Sequence, residues 1–383
     1  MSGVSARVGM VGAGQLARMT QRAAIDLGVT LTVLAEREDD PAARAGARVR
    51  IGGPRDAAAL EALAAEVDVV TLDHELVDGA VLARLAARGV AVRPSPSALA
   101  CAQDKLLARE TFARLGLPGQ AHAVATDEAG VAALAAAHGW PLVAKARRGG
   151  YDGRGVAVVA DADALAAVLA RGGEWIVEAH APIAQEVAVV LARRPGGELA
   201  VYPIVETVQR DGICHELVMP ARIPEAVAER AVATATALAE GIDAVGICAV
   251  ELFVTPDGDV LVNEIALRPH NSGHATIEGA VTSQFHNHLR AVLDWPLGDT
   301  ALRAPVAATV NVLGADDGDV AGRVPAALAV PGAHVHLYGK ASRPGRKLGH
   351  VTVLGADATT ALAAARRAAA ALVGLGPTGG GRG

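Results

Sequence analysis

Residues 144–155 read A-K-A-R-R-G-G-Y-D-G-R-G. Gly149, Gly150, Gly153 and Gly155 fall within seven residues, behind Arg147 and Arg148 and around Arg154. Lys145 ends an apolar, strand-like run that begins at Pro141. Glycines let backbone N–H groups approach an anion closely, and arginine and lysine add charge suited to a polyphosphate. A Gly-rich hairpin tip with solvated charges is the alternative. The conjunction with Lys145, Tyr151 and Asp152 favours a phosphate-covering loop. Strands flank the loop, a surface helix is expected over 161–169 and a further strand over 175–178. Residues 119–190 thus read as a small α+β unit. Glu178 ends that last strand and Glu186 follows a Pro-containing turn; carboxylates so placed can accept from adenine or ribose groups, or can be plain surface acids.

Toward the N-terminus, residues 7–92 alternate short apolar strands (7–11, 30–34, 67–72, 90–92) with helical segments (15–26, 56–65, 77–88), the pattern of an open parallel α/β unit. The first turn, Gly12-Ala-Gly14-Gln-Leu-Ala17, is a G-x-G-x-x-A, and Glu36 follows about twenty residues on, as in a dinucleotide fingerprint. Three readings stay open there: an NAD-type site, another phosphate at the helix N-terminus, or a tight turn. Residues 71–75, T-L-D-H-E, close the third strand, where open sheets place ligands. Pro94-Ser-Pro-Ser97 marks a boundary, with Ser97 read as the N-cap of one helix running through Lys105 to about Leu115.

Toward the C-terminus, residues 198–267 read as strands, one helix over 224–240 and a hairpin. A strand over 245–254 carries Glu251, Pro256-Asp-Gly258 turns, and the return over 260–265 carries Asn263 and Glu264. Acids inside apolar strands are costly unless something pairs with them. Two carboxylates and an amide suit Mg²⁺ held jointly with substrate phosphates; a buried salt bridge is the alternative. Arg268-Pro-His270-Asn271-Ser-Gly-His274 then gathers cation, imidazole, amide and hydroxyl, which favours a small-anion site over a zinc pair. His286 and His288 read as helix-side residues without a role. From Pro305 a third region alternates strands and turns, and holds the basic turn Arg343–His350. Residues 374–383 are Gly-rich and are expected to be disordered.

At 383 residues and a net charge of −6, the chain has length for two or three domains and no global field for nucleic acid. Three dispersed cysteines fit a reduced cytosolic chain without disulfides or a zinc site. No apolar run approaches the roughly 20 residues of a membrane span, and no signal peptide is legible. In a chain rich in arginine, lysine survives at Lys105, Lys145, Lys340 and Lys347 alone, which points to places where a compact ammonium is required.

Several motifs recur in order: G-A-G-Q-L-A-R-M from Gly12, G-G-Y-D-G-R-G from Gly149, N-E-I-A-L-R-P-H-N-S-G-H from Asn263, S-Q-F-H-N-H-L-R from Ser283 and R-P-G-R-K-L-G-H from Arg343. Together they resemble the N5-carboxyaminoimidazole ribonucleotide synthetases, ATP-grasp enzymes of bacterial and fungal purine synthesis. The resemblance implies an α/β and α+β protein: a Rossmann-like pre-ATP-grasp domain (1–96), an ATP-grasp domain (97–300), a small β-rich C-terminal domain (301–373) and the tail. It implies a cytoplasmic homodimer that uses ATP and Mg²⁺ to carboxylate 5-aminoimidazole ribonucleotide with bicarbonate through carboxyphosphate, with no nucleic-acid or membrane partner. By the same resemblance, Lys105 and Lys145 hold ATP phosphates beneath the Gly149, Gly150, Tyr151, Asp152, Gly153, Arg154, Gly155 loop. Glu178, Ala179, His180 and Ala181 line adenine, Glu186 meets the ribose and Gln209 lies near the nucleotide. Glu251 and Glu264 hold the metal, assisted by Asn263. Arg268, His270 and Asn271 bind bicarbonate and, with Asp152 and Lys145, form the catalytic set. Gln15, Glu75, Tyr151, Asp152, Arg154, Lys340, Arg346 and Lys347 surround the ribonucleotide, so the N-terminal glycine turn serves substrate and not NAD. Ala17, Ala179, Gln209 and Leu267 depart from the family's usual residues and affect local contacts only. A formate-activating ATP-grasp ligase, an NAD-dependent oxidoreductase and a nucleotide-binding regulator are the rival readings. The oxidoreductase leaves Glu251, Glu264 and the Gly149–Gly155 loop unexplained, and the intact acids and lysines speak against a regulator that has lost turnover.

Overall fold

The computed structural model describes residues 5–150, 153–315, 318 and 320–374. Tyr151, Asp152 and the tail from 375 lie outside them. The first unit contains β1 (Arg7–Val11), α1 (Gln15–Leu27), β2 (Thr30–Ala35), β3 (Arg48–Ile51), α2 (Ala57–Ala64), β4 (Val69–Leu72) and α3 (Gly79–Ala87). Its sheet is parallel, in the order β3-β2-β1-β4. The sequence pattern misses β3, whose R-V-R-I has no fully buried residue and therefore no alternation to detect. The strand expected over 90–92 supplies one bridge, Val70 to Val92.

The glycine turn before α1 is already occupied. Asp73, just after β4, accepts from the Gly14 N–H at 2.6 Å and the Ala17 N–H at 2.8 Å. A Cβ on Gly14 would lie 2.7 Å from Asp73 Oδ2, so glycine there makes room for the chain's own carboxylate. An anion at the helix N-terminus is stabilised by these donors and the helix dipole, and here the protein supplies it. With the Gly14 and Ala17 N–H groups taken by Asp73, the two donors that a pyrophosphate would need at that turn are already engaged, which argues against the dinucleotide reading. Asp73→Ala is expected to lower the unfolding free energy by about 2 kcal/mol, measured by equilibrium denaturation, with Asp73→Asn retaining part of it. An unchanged midpoint would show that the cap contributes nothing.

Two helices follow where one was expected: α4 (Pro96–Gln103) and α5 (Lys105–Arg114). Ser95, not Ser97, caps the first, accepting from the Ala98 N–H at 3.2 Å, because Pro96 takes the first helical turn, where its missing N–H is harmless. Asp104 then adopts an extended conformation and caps α5 through the Leu106 and Leu107 N–H groups. The break places Lys105 at a helix start facing the cavity.

The second unit contains β5 (His122–Val124), α6 (Glu128–His138), β6 (Leu142–Ala146), β7 (Val156–Val159), α7 (Ala162–Leu169) and β8 (Trp175–Ala179), in an antiparallel sheet ordered β5-β8-β6-β7. Leu142, Ala144 and Val177 pack with Leu134, Leu165 and Val168 of the helices. The alternate residues Val143, Lys145 and Glu178 face the cavity, as a period of two requires.

The remaining elements are β9 (Gln185–Arg193), β10 (Leu199–Val201), β11 (Val205–Arg210), β12 (Ile213–Met219), α8 (Glu225–Gly241), β13 (Gly246–Val254), β14 (Val260–Ala266), α9 (Thr276–Gly279), α10 (Gln284–Val292), β15 (Val306–Leu313), α11 (Val324–Leu328), β16 (Ala333–Leu337), β17 (Lys347–Gly355) and α12 (Ala358–Leu372). One sheet runs β14-β13-β9-β11-β12-β15-β17-β16, with β10 on β9. Strand β15 pairs antiparallel with β12, Glu216 opposite Val310, so the C-terminal strands extend the central sheet. Phe285, Leu289 and Val292 of α10 pack into the core of the first unit with Leu16 and Met19 of α1. His288 is part of that framework, its Nε2 2.9 Å from Thr71 Oγ1 and its Nδ1 accepting from the Ile247 N–H at 3.2 Å. The contact fixes the first unit against the central sheet and encloses the site between them.

Candidate active site

A cavity of about 2520 Å³ opens where the three sheets meet. Its middle is a buried charge cluster. Lys145 Nζ lies 2.7 Å from Glu178 Oε2 and donates to Asn263 Oδ1 at 3.1 Å. Arg109 donates from Nε to Glu178 Oε1 at 2.7 Å and from a terminal nitrogen to Asn263 O at 2.9 Å. Burial opposes the Glu178 charge, but Lys145 and Arg109 hold its carboxyl below the usual range. Lys105 Nζ is 3.1 Å from Glu264 Oε1. Two lysines, from α5 and β6, thus reach the same end of β14.

Glu251 and Glu264 stand directly opposite each other across β13 and β14, with a bulge just after Glu251. Like charges placed opposite on neighbouring strands are destabilising. Burial, and then the Glu264 and Glu186 carboxylates, push the Glu251 carboxyl up to about 7. Burial also raises Glu186. Such a cluster calls for a cation. Among the described residues no group of three or more His, Cys, Asp or Glu side chains is arranged to hold a metal by itself. Two carboxylates without a complete cage fit Mg²⁺, which retains water and shares its coordination with phosphates. They do not fit a structural zinc.

Beyond the acids, the segment after β14 forms a turn that gathers hydrogen-bond donors. Arg268 Nε donates to Glu75 Oε2 at 2.7 Å, and Glu75 keeps the guanidinium charged despite burial. His270 Nδ1 accepts from the Ser272 N–H at 3.3 Å and contacts Ser272 Oγ at 2.9 Å. Its Nε2 therefore carries the proton and points at Glu251 Oε1, 3.6 Å away. Burial, then Arg268 and Lys347, push His270 well below its ordinary value, so it is a neutral donor at pH 7. Both amide heteroatoms of Asn271 are buried without a hydrogen-bond partner. His274 stacks on His350 at 4.7 Å, which stacks on His336 at 4.5 Å. No His, Cys, Asp or Glu group among the described residues is arranged to hold a metal around His270 and His274, which gives the zinc-pair reading no support.

At the far end Lys340 pairs with Gln15, and Arg44 donates to Gly339 O at 3.2 Å. Arg346 and Lys347 border the same end of the cavity. At the opposite end Val143, Val156, Val158, Ala181, Ile183 and Phe253 make an apolar slot beside Ala179, His180 and Gln209. Over the middle lies the glycine loop. Gly149, Gly153 and Gly155 have φ between +74° and +76°, which favours glycine. A Cβ on Gly150 would lie 2.8 Å from Arg154 O. Gly149, Gly150, Gly153 and Arg154 border the cavity. Gly155 does not; it closes the loop base, its carbonyl accepting from the Ala146 N–H at 2.7 Å.

All other described site candidates line this one cavity. Sequence reasoning missed Arg109, a helical cation with no local sign of burial, and Asp73, which lies within T-L-D-H-E but turns inward. It also missed Gln284. This buried amide accepts from the His270 N–H at 2.9 Å and donates to His270 O at 2.7 Å, holding the turn after β14 in place.

Three domain models match the chain: a ribonucleotide synthetase preATP-grasp domain over residues 5–103, an ATP-grasp domain over 110–285 and a phosphoribosylaminoimidazole carboxylase C-terminal domain over 307–364. An N5-carboxyaminoimidazole ribonucleotide synthase from Mycobacterium tuberculosis is 49% identical over 366 residues, covering 91% of this chain and 84% of that one. One from Synechococcus elongatus is 42% identical over 352 residues, covering 90% and 89%. The solved N5-carboxyaminoimidazole synthase from Aspergillus clavatus, in complex with ADP and 5-aminoimidazole ribonucleotide, is 32% identical, with a TM-score of 0.88 over 96% of this chain and 99% of that one.

Proposed function

This chain belongs to the N5-carboxyaminoimidazole ribonucleotide synthase family of ATP-grasp ligases, and we propose how its residues divide the work. The reaction is the ATP-dependent carboxylation of 5-aminoimidazole ribonucleotide with bicarbonate, giving N5-carboxyaminoimidazole ribonucleotide, ADP and phosphate in purine biosynthesis. The observation that carries the residue assignment is the convergence of Lys105, Lys145, Glu251 and Glu264 on one side of Arg268, His270 and Asn271, in a single cavity.

Bicarbonate is a poor electrophile because negative charge is spread over its oxygens. Phosphorylation by ATP turns it into carboxyphosphate, which requires one anion to approach another. Lys105 and Lys145 take the phosphates, and positive charge preorganised in a water-poor site favours the transfer. Glu251 and Glu264 would hold Mg²⁺ with Asn263 alongside; when bound, the ion offsets charge on the transferred group. Arg268 and the Nε2–H of His270 donate to bicarbonate, and the unpartnered amide of Asn271 completes the set. The glycine loop covers the middle of the cavity and excludes water from a hydrolysable intermediate. The apolar slot and Glu178 to Ala181 take the adenine, with Glu186 at the ribose. Gln15, Glu75, Arg154, Lys340, Arg346 and Lys347 hold the ribonucleotide with its amine toward the trapped carbonyl, which supplies proximity. Tyr151 and Asp152 belong to the same loop by sequence. We further assign the chain to a cytoplasmic homodimer; no helix among the described residues is long and apolar enough to cross a membrane.

ADP release that requires both bicarbonate and 5-aminoimidazole ribonucleotide tests this reading, and equal release with formate would move the chain to a sister ligase. Lys340→Ala is expected to raise KM for the ribonucleotide about tenfold, the loss of one charged contact, with KM for ATP unchanged. The reverse pattern would place Lys340 at the nucleotide.

A further inference from the structure

Between Leu117 and His122 the chain crosses from one sheet of the cavity to the other. Gly119 bridges Val262 of β14, and the Val262 N–H donates to Pro118 O at 2.8 Å. Ala121 O then accepts from the Ala179 N–H at 2.9 Å, and His122 pairs with Glu178 across β5 and β8. Gln120 lies in the seam between them. Residues two apart on an extended chain share a face, so Gln120 shares the face of His122 and Glu178, which borders the cavity.

Gln120 is 7% exposed, and neither Oε1 nor Nε2 has a hydrogen-bond partner. A folded chain rarely keeps a buried amide with both ends unpaired unless something else completes it. No neighbouring side chain can take its place. Glu178 is saturated by Arg109 and Lys145, Ala179 and Ala181 have no polar side-chain atom, and His180 is exposed. We infer that Gln120 is a specificity-determining residue for the nucleotide, its carboxamide reading the adenine base.

A carboxamide has one acceptor and one donor end, and adenine offers an exocyclic amine beside a ring-nitrogen acceptor, a pair that an amide matches in two bonds. On the N7 edge guanine places acceptors at both positions, so there the amide satisfies only one of them. The inference rests on placing the base in the apolar slot, as proposed above.

The test uses Gln120→Met, which keeps length and removes both hydrogen-bonding ends. KM for ATP and the Kd for ADP by calorimetry are expected to rise about tenfold. The preference for ATP over GTP in kcat/KM is expected to fall by a similar factor, with KM for bicarbonate and the ribonucleotide unchanged. The nucleotide-free variant should melt no lower than the parent, because a thioether replaces an unpaired amide. Ile183→Asp, at a 43% exposed position on the slot, is measured beside it. Unchanged ADP affinity in Ile183→Asp overturns the placement of the base itself. Weakened ADP binding in Ile183→Asp with normal binding in Gln120→Met overturns the role of Gln120 alone. A Gln120→Met protein that melts lower and weakens all three substrates together makes the residue structural and also overturns the inference.

Discussion

Glu264→Gln is expected to lower kcat about a thousandfold, the scale of removing one preorganised charge interaction at a reacting centre. The fold should persist. Glutamine keeps the shape, the ion pair it loses with Lys105 is half-exposed on the Glu264 side, and such pairs contribute little to stability. Its loss also relieves Glu251, whose carboxyl is held near 7 partly by the Glu264 charge. The variant should therefore melt at the parent temperature or above it while losing turnover. A near-normal rate at saturating Mg²⁺ would refute the assignment of Glu264 to the metal, and a lower melting temperature would make the acid structural.

Arg268→Lys is expected to lower kcat/KM for bicarbonate about a hundredfold. Lysine keeps a cation beside Glu75, which avoids stranding a buried carboxylate, a change that destabilises strongly. It loses the planar fork that can engage Glu75 and a flat anion at once. KM for ATP should stay as it was, because Arg268 lies on the far side of Glu251 from Lys145 in the proposed arrangement. Initial rates at varied bicarbonate and fixed ATP decide the point. A shift confined to ATP would relocate the arginine to the phosphates.

What the sequence makes legible follows from where local rules apply. The facing of Glu251 and Glu264 is readable because Pro256-Asp-Gly258 closes a hairpin and a period of two then puts both acids near one end. The bulge after Glu251 that sets their register depends on packing and leaves no local mark. The glycine loop is readable because repeated glycine between strands has few other uses. The content of the first glycine turn is not, since Asp73 reaches Gly14 from 59 residues away, and G-x-G-x-x-A looks the same whether its donors meet a cofactor or the chain's own carboxylate. Arg109 and Gln284 sit on helices whose polar residues are ordinarily solvated, and only tertiary contact turns them inward. The pairing of β12 with β15 joins segments that composition alone would assign to separate units.

In the proposed arrangement Glu251 and Glu264 hold magnesium against the ATP phosphates beneath the glycine loop. A crystal structure of the chain with Mg²⁺ and a non-hydrolysable ATP analogue tests it directly. The predicted result has both carboxylates on a metal that also contacts phosphate oxygens, with Lys105 and Lys145 on the same phosphates and the loop from Gly149 to Gly155 above them. Carboxylates turned away from the phosphates, or a loop remote from them, would contradict it.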